Sequence, residues 1–188
     1  TVFALDTSTA FVGVGDATGN ILKTTDGGST WASTNIGTSG WVSDIQMIDA
    51  TTGYLADGGV LKTTDGGATW TNKNPGGSPP ALQYIHFLDA STGWVTGASG
   101  AMYRTTDGGS NWTTQTSGTS NQLRAVRFTD ASNGWALGVS GTLIRTTNGG
   151  TAWSSVVSGT SEHLYGLRFA SDGEGWAVGD NGTILRYG

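Results

Sequence analysis

The chain has 188 residues, of which only 12% are charged, with 32 glycines, 8 tryptophans and no cysteine. A formal net charge of −5 and a pI of about 4.7 set any duplex or polyphosphate partner against overall repulsion, so no nucleic acid is expected. Without cysteine there is no disulfide or thiolate chemistry, and no apolar run approaches the roughly 18 residues a membrane-spanning helix needs.

The length suits one domain with a sizeable core, and the chain divides into five units of similar plan. The first (about 1–37) opens on "VFALD", carries Phe11 and closes on the turn "TTDGGSTW" (24–31). The second (38–77) repeats this with "IQMID", Tyr54 and "TTDGGATW" (63–70). The third (78–118) has "IHFLD", Trp94 and "TTDGGSNW" (105–112), and the fourth (119–160) has "VRFTD", Trp135 and "TTNGGTAW" (146–153). The fifth (161–188) has "LRFAS" and Trp176 but runs only to "TILRYG", where the turn would begin. The turn tryptophans Trp31, Trp70, Trp112 and Trp153 are spaced by 39, 42 and 41 residues. The second aromatic series, from Phe11 to Trp176, is spaced by 43, 40, 41 and 41.

Each unit reads as four short strands. In the fourth, "LRAVRFTD" (123–130) alternates with Val126 and Phe128 on one face, and "GWALGVSG" (134–141), "TLIRTT" (142–147) and "AWSSVVS" (152–158) follow between turns. Four-stranded antiparallel sheets repeated about every 40 residues predict an all-β, five-bladed β-propeller whose last blade lacks its outer strand. A two-sheet sandwich is the rival, but it gives no reason for the same turn in every unit. Closure is expected by face-to-face packing of blades one and five, with a multichain ring or excision from a longer propeller as the competing account. A monomer is expected, with association through open terminal edges as the alternative. The stretch "NPGGSPP" (74–80), which holds all three prolines, reads as a stiff connection between blades. Thr1 in place of Met reads as a processed or trimmed start, and the low-lysine, Thr-rich surface leans toward an extracytoplasmic setting.

The turn residues Asp26, Asp65, Asp107 and Asn148 invite a reading as metal or phosphate cradles. Each copy offers at most one carboxylate, however, and no helix or Lys follows as a phosphate loop requires. They are expected to cap their own turns, with the glycines supplying positive φ and the tryptophans packing beneath. No metal or cofactor is expected.

"GWAVGDNGTILR" (175–186) together with "TTDGGSTW" resembles the repeat of the photosystem II stability/assembly factor family. The turn alone is similar to the Asp-box of bacterial sialidases, matched by Thr24, Asp26, Gly28, Thr30 and Trp31. Asn111 departs from that pattern in the third copy, as do Asn148 and Ala152 in the fourth. The resemblance implies a propeller that binds a protein or peptide. A sialidase-like hydrolase is disfavoured, because the periodic Lys23, Lys62, Arg104, Arg145 and Arg186 fall one to a blade and only Glu162 and Glu174 are present.

Function is therefore sought where the repeats differ. On the innermost strands one aligned position holds Phe3, Gln46, His86, Arg127 and Arg168; the last three, with Arg124, are expected to form a cationic arc beside the channel that takes a protein or peptide. Trp41, aligned with Ala81, Gln122 and His163, is the candidate for stacking on a glycan or peptide. The resulting expectation is a non-enzymatic binding module, with a lectin-like propeller or a glycoside hydrolase fragment as alternatives.

Overall fold

Short runs of apolar and β-branched residues between Gly-bearing turns favour hairpins over helices. The computed structural model describes residues 1–15, 19–77, 79–171 and 174–187. Blade one contains β1 (Val2–Ala4), β2 (Ala10–Gly13), β3 (Asn20–Thr24) and β4 (Ala32–Asn35). Blade two contains β5 (Asp44–Met47), β6 (Gly53–Ala56), β7 (Val60–Thr63) and β8 (Thr71–Asn72). Blade three contains β9 (Leu82–Phe87), β10 (Gly93–Gly97), β11 (Met102–Thr105) and β12 (Thr113–Thr114). Blade four contains β13 (Leu123–Phe128), β14 (Gly134–Gly138), β15 (Leu143–Thr146) and β16 (Ser154–Ser155). Blade five has three strands, β17 (Leu164–Ser171), β18 (Glu174–Gly179) and β19 (Ile184–Tyr187). Every sheet is an antiparallel meander in chain order. The fourth strands of blades two to four are only two residues long, shorter than the pattern of "AWSSVVS" suggests, because β15 pairs with β16 only through Ser154 and Ser155.

Strands of each blade pack on the inner strand of the next, from blade one through blade five. Between blades two and three, and between three and four, the second-strand aromatic of one blade lies flat on the first-strand phenylalanine of the following one. Tyr54 stacks on Phe87 at 3.6 Å and Trp94 on Phe128 at 3.5 Å between ring centroids. The motif tryptophan then meets that phenylalanine edge-on: Trp112 against Phe87 at 6.2 Å and Trp153 against Phe128 at 5.8 Å. The strand partner of each phenylalanine is a glycine, Gly93 for Phe87 and Gly134 for Phe128. A Cβ on Gly93 would stand 2.3 Å from the Phe87 ring, so the ring's position requires the missing side chain.

The expected face-to-face closure of blades one and five is not found. Nothing comparable to the packing between successive blades joins them among the described residues. Trp176 is 40% exposed and Val2 69%, whereas Phe11, Tyr54 and Trp94 are fully buried. Among the described residues Trp176 lies on no partner like those of Tyr54 and Trp94, since Ala4 stands in β1 where blades three, four and five carry Phe87, Phe128 and Phe169. In the 74–80 connection, residue 78 is outside the described residues. Asn74 turns its side chain back to accept a hydrogen bond from the Val60 amide at the start of β7. Gly188 is likewise outside them. No helix is long and apolar enough to cross a membrane among the described residues.

Burial thus separates two tryptophans at one repeat position. Trp94→Ala is expected to cost about 3–5 kcal/mol by removing a fully enclosed ring and leaving a cavity. Trp176→Ala is expected to cost about 1 kcal/mol or less, since its ring already meets water. Urea unfolding of the two variants beside the parent measures the difference.

Candidate functional site

Seven of the 14 acidic residues sit in two sets of repeated turns, Asp26, Asp65 and Asp107 in one and Asp6, Asp49, Asp89 and Asp130 in the other. The Asp26 carboxylate accepts from the Thr24 hydroxyl (2.8 Å), the Thr30 amide (2.9 Å) and the Thr30 hydroxyl (2.6 Å). The Thr24 hydroxyl in turn accepts from the Gly28 amide at 2.9 Å. Gly27 and Gly28 make the corner at φ of 70° and 91°. Asp65 repeats this network with Thr63 and Thr69. Where the third copy departs from the pattern, Asn111 donates to Asp107 from both its amide (2.8 Å) and its side chain (2.7 Å), so the substitution preserves the cap. In the fourth copy Asn148 accepts from Thr146 and from the Ala152 amide. These donors hold the Asp26, Asp65 and Asp107 carboxyls at about 2, the side-chain and backbone groups of Thr30, Thr69 and Asn111 being the largest causes. The indoles of Trp31 and Trp70 donate to Gly28 and Gly67, and Trp112 reaches across to Lys73 of the preceding blade.

A second set of acidic turns repeats the same economy at the same end of the strands, each tied to the motif turn of its blade by a backbone bond such as that from the Gly27 amide to the Ser8 carbonyl at 2.9 Å. The Asp49 carboxylate accepts from the Thr51 and Thr52 amides, both at 2.7 Å, and Asp6, Asp89 and Asp130 do the same two and three residues on. Among the described residues no three His, Cys, Asp or Glu converge as metal ligands.

The periodic cations are also occupied. Lys23, Lys62, Arg104 and Arg145 lie over Phe11, Tyr54, Trp94 and Trp135 of their own blades at 5.0–5.5 Å. Lys23 and Lys62 go on to donate to the Gly66 and Gly108 carbonyls of the next blade's turn. Arg186 pairs with Glu174 at 2.5 Å. Glu162 accepts from Asn181 at 2.9 Å.

What remains is the channel. Arg127 and Arg168, in consecutive blades, border two spaces. One, of about 450 Å³, is shared with Asp44, Tyr84, Arg124 and Tyr165. The other, of about 360 Å³, is shared with His86, Phe128 and Thr129. Arg127 spends one guanidinium nitrogen on the Ile85 (3.1 Å) and Val126 (2.8 Å) carbonyls, and Arg168 one on Leu167 (2.9 Å). Arg168 is exposed and Arg127 half-buried. Asp44 faces Arg127 and accepts from the Ile45 (3.0 Å) and Ile85 (3.1 Å) amides; enclosure nevertheless raises its carboxyl above the ordinary value, against the pull of Arg127. Arg124 stands over the Tyr165 ring at 4.6 Å, and Tyr165 donates its hydroxyl to Asp180 at 3.1 Å.

His86 sits with these residues but brings no charge. Its Nε2 lies 3.1 Å from the Phe128 carbonyl, and burial, followed by the nearby Arg127, pushes its pKa down to about 4. The arc expected from His86, Arg124, Arg127 and Arg168 is therefore cationic through its three arginines alone near neutral pH. Trp41 is 64% exposed and lines neither space. Tyr165 escaped the sequence reading. It shares a variable repeat position with Ser43, Gln83 and Arg124, and that variability was the available signal.

The His86 shift has a defined sign. A histidine held neutral in the fold at about 4 but titrating near 6.5 when unfolded supports stability fully above about pH 6.5. That support is lost as pH falls from about 6.5 toward 4, while Asp44, shifted upward, acts in the opposite direction. His86→Gln is expected to flatten the fall in stability across this window, measured as thermal unfolding midpoint against pH for the parent and the variant.

No curated protein matches the sequence. Among solved structures the chain is similar to YCF48 from Cyanidioschyzon merolae, with a TM-score of 0.80 at 20% identity over 100% of this chain and 68% of that one. It is similar also to a YCF48 bound to D1 peptide, with a TM-score of 0.78 at 20% identity over 99% of this chain and 63% of that one. The chain thus spans about two thirds of these proteins' length. A GH74 enzyme from Niastella koreensis shares the fold with a TM-score of 0.76 at 18% identity, over 93% of this chain and 32% of that one. The family model of the photosynthesis system II assembly factor YCF48 matches residues 27–116, 79–160 and 114–188, and the chain belongs to that family.

Proposed function

We propose that the protein is a non-enzymatic scaffold that holds an acidic or carboxylate-terminated segment of another protein at its channel. The observation that carries this reading is the pairing of Arg127 and Arg168 between two channel spaces, with Arg124 beside the first. In a chain of net charge −5, Arg127 and Arg168 neither lie over a ring, as the periodic series and Arg124 do, nor pair with Glu174, as Arg186 does. Each guanidinium keeps donors beyond those given to backbone carbonyls, in the planar array that suits a carboxylate. Tyr84 and Tyr165 supply flat apolar surface next to them. Family membership supports a protein partner, and a YCF48 structure with a bound peptide shows that this fold accommodates one.

The non-enzymatic part of the reading is supported by the employment of the acidic groups. Glu162 and Glu174 are tied to Asn181 and Arg186, and the turn aspartates are saturated by their own backbones. A lectin-like reading draws on one observation, the 64% exposed indole of Trp41, which offers a flat face for a sugar.

Fluorescence anisotropy with a labelled acidic peptide bearing a free C-terminal carboxylate tests the proposal. Arg127→Glu with Arg168→Glu is expected to weaken binding by at least about tenfold, and added salt to weaken the parent's binding. Trp41→Ala is expected to leave it unchanged. Binding that survives the double charge reversal would sink the channel reading. Loss of binding in Trp41→Ala, with competition by oligosaccharides, would favour the lectin-like one.

A further inference from the structure

The interface between blades three and four carries polar atoms that the two interfaces before it lack or satisfy. Between blades two and three, the Tyr54 hydroxyl donates to the Ala90 carbonyl at 2.8 Å and the Trp112 indole to the Lys73 carbonyl at 2.7 Å. Between blades one and two, Phe11 has no polar side-chain atom and Trp70 donates to the Gly67 carbonyl. Between blades three and four the same two places hold Trp94, fully buried, and Trp153, half-buried. Neither indole nitrogen has a hydrogen-bond partner among the described residues. Gln115, which stands where blade two has Lys73, brings a third unpartnered atom, its Oε1. All three converge on Gly150: a Cβ there would stand 2.8 Å from the Gln115 oxygen, 3.2 Å from the Trp94 nitrogen and 3.3 Å from the Trp153 nitrogen. Turning the Gln115 amide over would aim its own donors at two N–H groups, so the oxygen belongs there.

Arg104 adds a fourth. Lys23 and Lys62, at its place in blades one and two, donate to the next blade's turn, whereas the Arg104 guanidinium lies over the Trp94 ring with its enclosed Nε unpartnered. Arg104 and Gln115 also line a cleft of about 450 Å³, whose other walls are Asp107, Asn111 and five threonines. One of these, Thr151, follows Gly150 directly. Buried donors and acceptors without partners are rare in native proteins, and each asks for a reason such as a bound water or ligand. The balance of the set decides which kind. Three donors alone would suit a carboxylate, but the Gln115 oxygen and the ionised Asp107 would face it. A hydroxyl accepts and donates through one atom, so it answers both needs. Gln115 Nε2 reaches the Thr113 and Thr114 carbonyls only at 3.5 and 3.4 Å, so this side chain is loosely held and can adjust around an incoming group.

We propose that the cleft between blades three and four binds a small polyhydroxylated molecule, a sugar or a linear polyol. One hydroxyl accepts from the Trp94 and Trp153 indoles and donates to Gln115, while its neighbours meet Arg104 and the threonines. The cleft has the volume of an ordinary small-molecule site. It is separate from the channel, and it takes a neutral ligand where the channel takes an anion.

The two indole N–H groups report on the site directly. The full chain, isotope-labelled at tryptophan, is titrated with methyl glucoside and with sorbitol while NMR follows the indole resonances. Saturable shifts are expected at Trp94 and Trp153, with the exposed Trp31 and Trp41 as internal controls for general solvent effects. The probe with the tighter curve tells ring from chain. Gln115→Leu removes the acceptor at similar size, and Arg104→Lys installs the residue of blades one and two, so both are expected to keep the parent's thermal midpoint. Each is expected to weaken binding at least about tenfold. If either does not fold, the comparison of Trp94 and Trp153 with Trp31 and Trp41 in the parent decides alone. Linear shifts at all four, or curves unchanged in both variants, overturn the proposal. No response at Trp94 and Trp153 overturns it too, in favour of an ordered water between the indoles and Gln115. Saturation by acetate but by neither polyol overturns it in favour of an anion site. Arg127→Glu with Arg168→Glu is expected to leave the polyol curves unchanged, since those arginines line other spaces.

Discussion

The flat stack of one blade's aromatic on the next blade's phenylalanine is the contact on which the architecture depends. It joins blades two to four, with Phe11 packed among Met47 and its neighbours and the tilted Trp135–Phe169 pair in the corresponding places at the flanking interfaces. It also gives the motif tryptophan an edge to pack against, as at Trp94, Phe128 and Trp153. Dispersion and apolar burial drive the stack, and the basic residue over each ring adds a cation–π contact where Lys23, Lys62, Arg104 and Arg145 cross it. Because each blade satisfies its neighbour rather than itself, a face that meets no neighbour among the described residues stays bare. Trp176, Ile184 and Val2 are the visible consequence.

The same economy explains why so many acidic residues make no active site. Two turns per blade place unpaired amides at the surface, and a short carboxylate is the cheapest way to satisfy several of them at once. Asp26, Asp49, Asp65 and Asp107 are held near a pKa of 2 by those donors, which keeps them ionised and committed. The channel is different, because its residues vary from blade to blade and answer to no common packing rule. There Arg127 and Arg168 retain unused donors, while His86 is kept neutral by burial.

Much of this was legible in the sequence. The repeat, the strand count, the capping role of Asp26, Asp65, Asp107 and Asn148, and the shortened fifth blade follow from spacing and turn chemistry. The second set of caps at Asp6, Asp49, Asp89 and Asp130 was less visible, because a carboxylate followed by Ser or Thr is common in any loop. The channel residues were partly legible: aligning the repeats singled out Arg127, Arg168 and His86, yet gave no means of seeing that burial removes the charge of His86. Tyr165 was hidden because its role depends on Arg124 of the adjacent blade, 41 positions away.

By itself the sequence determined the units of the fold, since turns and strand periodicity are local and a repeated pattern states them several times over. Whether the arc closes was decided only in three dimensions. Closure depends on the faces of blades one and five, separated by almost the whole chain, and Ala4 and Trp176 are not drawn into the stack that local pattern alone predicts. The tertiary structure likewise decided which cations are spare, because a guanidinium over a ring and one beside an open channel are the same residue until the blades are packed.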